Sequence, residues 1–143
     1  MALTPINIII DEEITEDVAT STSVETQPSK TFELDLLNGQ IGGYIDGEQA
    51  IQQFIRKAVF TARNRYLIYS DAYGSELSDL VSKNLPFSVL EIEIPRLIED
   101  ALIYDDRIVS VGNFVLTQES DKLFVSFVVT LVNGETVESE VTI

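Results

Sequence analysis

The final third of the chain restricts the fold most, because its hydrophobic pattern changes there from a helical period to a strand period. Three runs rich in β-branched and aromatic residues follow one another: 108–117, 122–132 and 135–143. Short polar turns between such runs predict three consecutive antiparallel strands. The middle run is apolar on both faces, which is typical of a central strand covered on both sides. We expect helices to cover one face of the sheet, and either an N-terminal hairpin or a partner to cover the other face.

The last of these runs has the pattern of an edge strand. It ends the printed sequence and alternates valine and serine with glutamate. Acidic side chains on an edge discourage random pairing, but a cognate strand can still add to it. We therefore expect the last strand to lie open at one side of the sheet.

Two earlier segments carry apolar residues at every third or fourth position, which predicts two main helices. The first begins at Asp46 as its N-cap and has the following apolar positions: Ala50, Ile51, Phe54, Ile55, Ala58, Val59 and Ala62. The second follows Pro86 and extends to Leu102, with Pro95 inside it, which favours a kink over a break. A short helix is predicted between them, over 75–83 with Ser75 as its cap.

The N-terminal part divides into two pieces. Residues 1–30 are acidic and rich in serine and threonine, which predicts a flexible arm whose β-prone patch Ile6–Ile10 is either frayed or a strand for a neighbour. From Thr31 apolar and acidic residues alternate up to Asn38-Gly39, a pair typical of a tight hairpin with two positive φ angles. A turn is predicted at 42–47.

The predicted fold class follows from these elements. It is α+β, with two main helices and a short one packed on a C-terminal three-stranded antiparallel sheet, preceded by an N-terminal hairpin and a flexible arm. With 143 residues, of which 45% are hydrophobic, we expect one folded domain over 31–143.

Composition excludes most catalytic chemistry. The chain has no histidine and no cysteine, so it lacks the usual general base near neutral pH, thiolate metal ligands and disulfides. Glu99, Asp100, Asp105 and Asp106 are the dense acidic group of the predicted domain, and neighbouring carboxylates are unspecific in a chain this acidic. The sequence predicts a protein that is not an enzyme and has no cofactor, metal or catalytic residue.

The net charge of −15 opposes nucleic-acid binding and favours partners with basic patches. No apolar run approaches the roughly 20 residues that cross a bilayer, and the first ten residues have no basic segment. We expect a soluble cytoplasmic product without a membrane partner.

Three groups of residues are candidates for partner binding, and each has an alternative structural role. Arg107 can hold the helix-to-strand corner through forked hydrogen bonds, or extend the same fork across an interface. The bases Arg56, Lys57, Arg63 and Arg65 can be a solvated helix face or a basic ridge for an acidic partner. The tyrosines Tyr66, Tyr69 and Tyr73 can be core aromatics or interface anchors.

The order of several segments resembles one known family. The matching segments are 35–47, 61–66, 68–77, 99–102 and 105–108. Together they are similar to the contractile-tail sheath initiator, or baseplate wedge, family, especially its branch from phages and phage-tail-like particles of Gram-positive bacteria. The resemblance covers about 29–134. Where that family usually has Glu-Pro-Arg at the helix-to-strand corner, this chain has Asp105-Asp106-Arg107.

The resemblance implies a structural baseplate component that joins wedge subunits to the first sheath ring and templates the sheath by β-strand addition. The residues expected to contact the wedge are Asp105, Asp106, Arg107, Arg63, Arg65 and Tyr73. Those expected to accept a sheath strand are Thr136, Val137, Glu138, Ser139, Glu140 and Val141. The alternative function is a small acidic protein-binding adaptor or assembly chaperone.

The same resemblance implies the setting in which the protein works. Its partners would be the sheath protein and the wedge subunits, with tail tube or hub proteins as further candidates. Several copies would form a ring, six being expected. The protein would be in the bacterial cytoplasm during assembly and afterwards in the baseplate of a virion or of a tail-like bacteriocin.

Overall fold

The computed structural model describes residues 28–143, so the predicted arm, including Ile6–Ile10, lies almost entirely outside the described residues. The elements in chain order are β1 (Thr31–Asp35), β2 (Gln40–Ile45), α1 (Gly47–Phe60), α2 (Leu77–Ser82), α3 (Phe87–Leu102), β3 (Ile108–Glu119), β4 (Lys122–Leu131) and β5 (Thr136–Thr142). This order confirms the α+β class and the predicted set of elements.

Strands β3, β4 and β5 form an antiparallel sheet in that order, so the central position predicted for the middle strand is confirmed. Alternate residues of β4 point toward the helices and are buried, among them Val125, Phe127 and Val129. Together with residues of α1 and α3 they form one hydrophobic core.

The other face of β4 differs from what the apolar pattern predicted. Phe124 and Val128 on that face are only half-buried. The β1–β2 hairpin does not cover them, because it packs against α1, where the Gln53 amide donates to Phe32 O and accepts from Leu34 N, both at 2.8 Å. Of the two covers predicted for this face, the hairpin is therefore wrong, and a partner stays a prediction.

Both predicted main helices form. The Asp46 carboxylate accepts a hydrogen bond from Gly47 N at 2.7 Å and starts α1, as predicted. The helix ends at Phe60. The next residue, Thr61, donates hydrogen bonds from its backbone N–H and from its hydroxyl to Lys57 O. Helix α3 is continuous from Phe87 to Leu102 with Pro95 inside it, so the proline does not separate two helices.

Several turns differ from the sequence prediction. The segment around Gly42 and Gly43 belongs to strand β2 and pairs with β1 across a bulge, so no turn begins there. In the β1–β2 turn only Gly39 has a positive φ, +65°, whereas Asn38 does not. The reason is Asp35, whose carboxylate accepts the backbone N–H groups of residues 37 and 38 and closes a longer turn.

The short helix is also displaced from its predicted start. Its N-cap is Glu76 rather than Ser75, and the Glu76 side chain makes no capping hydrogen bond. The Ser75 hydroxyl still accepts a long hydrogen bond, 3.4 Å, from Leu77 N, the first residue of the helix. Ser75 is buried instead, and its hydroxyl donates to Val59 O at the end of α1. Ser75 therefore connects the loop before α2 to the end of α1, because its hydroxyl proton is donated to Val59 O.

Candidate functional site

The corner between α3 and β3 is built around an ion pair. Arg107 donates from Nε to Asp105 Oδ1 at 2.8 Å and from Nη2 to Asp105 Oδ2 at 2.7 Å. Its backbone N–H also donates to Asp105 Oδ1, at 2.9 Å. The two side chains are only 16% and 13% exposed, so solvent screens this pair little. Arg107 therefore uses its fork within the chain, at the corner that it was predicted to hold.

Electrostatics and packing around the pair agree with this role. Burial opposes ionisation of Asp105, but the hydrogen bonds and charge of Arg107 outweigh it and lower the pKa of the carboxyl. The Arg107 guanidinium also lies over the ring of Phe54 in α1, 5.2 Å from its centroid. The corner is thus held by the Asp105–Arg107 pair and by the contact of Arg107 with α1.

Arg63 has a similar structural engagement elsewhere. It follows α1 and donates from Nε and Nη2 to Gly74 O at 3.2 and 3.0 Å, and from Nη2 to Asp100 O at 3.3 Å. These bonds close the loop over 61–76 and fasten it to the end of α3. Its side chain is 16% exposed, whereas Arg65 two residues later is exposed. The four bases that could form one basic ridge therefore differ in exposure, since Arg56 and Arg65 are exposed whereas Lys57 and Arg63 are partly buried.

Three predicted wedge-binding residues lie together. Tyr73, Asp105 and Asp106 line one open pocket of about 290 Å³ between the loop and the corner, beside Phe54 and Tyr104. Burial raises the pKa of Tyr73 above its ordinary value, and its ring stacks on Tyr69 at 4.5 Å. Asp106 remains exposed and makes no ion pair within the described residues. The pocket therefore presents an aromatic wall and a free carboxylate.

The tip of the same loop is an exposed apolar surface, in which Tyr66 and Tyr69 were candidate interface anchors and the two residues between them belonged to no predicted site. Leu67 and Ile68 are almost fully exposed, and Tyr66 is half exposed beside them. The sequence does contain a signal for this surface: residues 66–69 are all apolar or aromatic, but they lack the helical or strand periodicity of buried segments. Tyr66 and Tyr69 are not core residues, since both rings face solvent at this tip.

Strand β5 lies at an edge of the sheet and pairs only with β4 within residues 28–143. Leu123 and Ile143 exchange both backbone hydrogen bonds at 2.9 Å, and Leu131 N donates to Glu135 O. Hydrogen-bonded and non-hydrogen-bonded pairs alternate in an antiparallel ladder. The odd-numbered residues of β5 therefore bond to β4, and the backbone N–H and C=O groups of the even-numbered residues point outward: Thr136, Glu138, Glu140 and Thr142.

The side chains of β5 follow the same alternation. Val137 and Val141 are buried in the core at 1% and 3% exposure, whereas Glu138 and Glu140 are exposed on the opposite face. A groove of about 210 Å³ runs between β5 and α1 and is lined on the helix side by Gln52, Ile55 and Arg56. An added strand would therefore meet both the free backbone of β5 and the side of α1.

No helix of the described residues is long and apolar enough to cross a membrane. In the same range, residues 28–143, no cluster of three or more acidic side chains has an arrangement that could hold a metal ion.

The fold is that of a small α+β protein whose three-stranded sheet has an open edge at β5 within residues 28–143, and comparison with known families gives its class. The model of the family described as contractile injection system sheath initiator matches residues 27–134. The chain is also 42% identical over 131 residues to the phage-like element PBSX protein XkdS of Bacillus subtilis (strain 168), covering 90% of this chain and 88% of that protein. The chain belongs to the contractile injection system sheath initiator family.

Membership confirms the resemblance seen in the sequence and decides the general class. The family is a structural component of phage tails and not an enzyme family, and it implies contact with sheath and baseplate proteins in the virion or tail particle. The family match covers the hairpin, all three helices, the corner and β3–β4, and it ends at Gly134, before β5.

Proposed function

We propose that this protein joins baseplate wedge subunits to the first sheath ring and that β5 templates the sheath by accepting a strand of the sheath protein. The observation that carries the proposal is the outward-facing backbone of β5, which is unpaired within residues 28–143. Such an edge supplies hydrogen bonds for affinity and alternating side chains for register. A ring of copies makes weak single contacts sufficient, because the contacts act together.

The corner pocket supports the second half of the proposal, contact with the wedge. Asp106 and Tyr73 offer one acid and one aromatic side chain in this pocket to a neighbouring subunit, and Arg65, outside the pocket, is an exposed base. Arg107 and Arg63 act there by positioning, because their guanidinium groups are already bonded within the chain. The exposed tip at Leu67 and Ile68 adds an apolar contact beside them.

Deleting β5 is an unsuitable test of strand addition, because Val137 and Val141 belong to the core and their loss would unfold the protein. Glu138→Pro is sharper. It removes one outward N–H, leaves the ladder to β4 intact, and should cost about 1 kcal/mol of stability as an edge substitution. Glu138→Ala removes the same carboxylate and keeps the N–H, so it is the matched control.

The assay mixes the protein with sheath and wedge subunits and counts seeded sheath rings by electron microscopy. We expect Glu138→Pro to lose most of the seeding while remaining folded, and Glu138→Ala, which keeps the outward N–H, to retain clearly more of it. Normal seeding by a folded Glu138→Pro protein would show that strand addition at this edge is wrong.

The wedge contact is tested separately by binding to isolated wedge subunits at a temperature where every variant is folded. We expect Arg107→Ala, which releases the corner, to weaken binding more than Arg56→Ala, which alters the side of α1 near β5. Asp106→Asn should weaken binding without loss of stability, because the carboxylate has no partner in the described chain. If Arg56→Ala has the larger effect, the wedge surface lies on α1 instead.

A further inference from the structure

The outer face of β5 carries two carboxylates that β4 does not neutralise. In the register of the sheet, Glu138 lies opposite Val128 and Glu140 lies opposite Ser126. Neither glutamate makes an ion pair within the described residues. A strand added on the free side of β5 would place its own side chains directly beside these two carboxylates, on the same face.

The residues of β5 that face the helices are uncharged, and Arg56 is the charged side chain that lines the neighbouring groove from α1. Ser139 is half-buried and lines the groove with Gln52 and Arg56 of α1. Arg56 is exposed and makes no ion pair in the part of the chain that the structure describes. A residue paired with Ser139 on an added strand would point into this groove, toward a positive charge.

The sequence of β5 also bears on which strand can add. Residues 136–142 read Thr-Val-Glu-Ser-Glu-Val-Thr, which is the same in both directions. If a second copy paired antiparallel with its Ser139 opposite Ser139, each Glu138 would face the Glu140 of the other copy. Like charges placed directly opposite destabilise a pair of strands. The edge therefore disfavours its own copy in this register and favours a strand of different charge.

We infer that the strand accepted by β5 comes from another protein and carries a cation, an anion and a cation at three successive positions. The cations lie opposite Glu138 and Glu140, and the anion lies opposite Ser139 and faces Arg56. This inference rests on the proposed strand addition and specifies the chemistry of the partner. Backbone pairing supplies the general affinity, and the charge triplet fixes the register.

Two capped synthetic peptides test the inference on the full chain. The first, Thr-Val-Lys-Glu-Lys-Val-Thr, carries the favourable triplet, and the second, Thr-Val-Glu-Lys-Glu-Val-Thr, reverses every charge. Both read the same in either direction, so the result does not depend on strand orientation. Titration followed by ¹⁵N–¹H NMR measures each Kd and shows which backbone amides shift.

We expect the first peptide to bind about tenfold more tightly than the second at low salt, and the ratio to fall as salt is added. The largest shifts should fall on the outward amides, those of residues 136, 138, 140 and 142. The double variant Glu138→Lys with Glu140→Lys should reverse the preference. Glu119→Lys with Asp121→Lys changes the net charge equally at the β3–β4 turn and should leave the preference unchanged.

Equal affinities for the two peptides, a preference kept by the Glu138→Lys, Glu140→Lys variant, or no binding of either peptide would overturn the charge rule. Sheath seeding separates this result from a failure of the proposed function. If the charge rule falls while Glu138→Pro still blocks seeding, strand addition stands with a different register. If Glu138→Pro seeds normally as well, strand addition falls with it.

Discussion

Replacing Arg107 by alanine should destabilise the protein far more than the loss of a surface ion pair. The substitution removes both forked bonds to Asp105 and the contact over Phe54, and it leaves the Asp105 carboxylate 13% exposed with only the backbone N–H of residue 107. A buried charge that loses its partner is costly because it can neither return to water nor find another cation.

The magnitude follows from this burial. Removing one partner of a fully buried pair costs about 3–5 kcal/mol, and the remaining exposure together with the retained backbone hydrogen bond reduces this to about 2–4 kcal/mol here. A domain of this size is stabilised by about 5–15 kcal/mol in total. The variant should therefore fold, with a midpoint of thermal unfolding lower by roughly 10 °C.

Arg96→Ala is the matched control. Arg96 also contacts carboxylates, Glu93 at 2.6 Å and Asp100 at 3.4 Å, but its side chain is 58% exposed on α3. Exposed pairs contribute about 0–1 kcal/mol because water and salt screen them. The two variants remove the same residue type and comparable ion contacts, so their difference measures what burial of the pair and the contact with Phe54 add together.

Urea unfolding at pH 7, followed by circular dichroism, gives the free energy of unfolding of each variant. We expect the Arg107→Ala loss to exceed the Arg96→Ala loss by at least about 1 kcal/mol. Equal losses would refute the view that the corner depends on a buried pair, and would return Arg107 to the role of a surface residue.

Three further predictions follow from the same geometry. Gly74→Ala should lower the free energy of unfolding in urea by about 3 kcal/mol, because Gly74 has φ +97° and an added Cβ would lie 2.6 Å from Thr61 O. Gly43→Ala is the control and should change it little, because the space around Gly43 is open. The pKa of Asp105 is lowered in the folded protein, so its contribution to stability is complete above about pH 4 and is lost as the pH falls through the folded pKa. The difference in free energy of unfolding between wild type and Arg107→Ala should therefore shrink when the pH is lowered. Ser139→Pro removes a bond to β4 and should destabilise the protein about 1–3 kcal/mol more than Glu138→Pro. A larger loss for Glu138→Pro than for Ser139→Pro would mean that the ladder alternates in the other phase.

The sheet and helices were predictable because their information is local. Alternation with a period of two predicted β4 and β5, and a three-to-four spacing predicted α1 and α3. The buried residues of the two helices follow that spacing, whereas Phe87 at the start of α3 is exposed. The glycine pair at 42–43 misled the same reasoning, since glycines usually mark a turn but here lie in an exposed strand of a two-stranded hairpin.

The corner shows where local information ends. Adjacent acids and an arginine indicated a helix-to-strand corner, but whether the fork of Arg107 turned inward depended on Phe54, which is distant in the sequence. Arg63 is similar, because its acceptors are backbone carbonyls of Gly74 and Asp100 that only the folded chain brings near. No periodicity encodes a side chain bonded to distant backbone, so these roles required the structure.

The corner and the open edge are connected through the backbone, which bears on how the two proposed surfaces work together. Val132 N donates to Arg107 O at 3.0 Å, so the residue that holds the corner also holds the turn leading into β5. The ion pair with Asp105 holds the side chain of Arg107, and the hydrogen bond from Val132, just after β4, holds its backbone. A wedge subunit that binds beside Asp106 would therefore contact the same rigid unit that presents the outward groups of β5. Variants that loosen Arg107 should weaken both contacts, whereas Glu138→Pro should affect the sheath contact alone, since it alters only the free side of the edge.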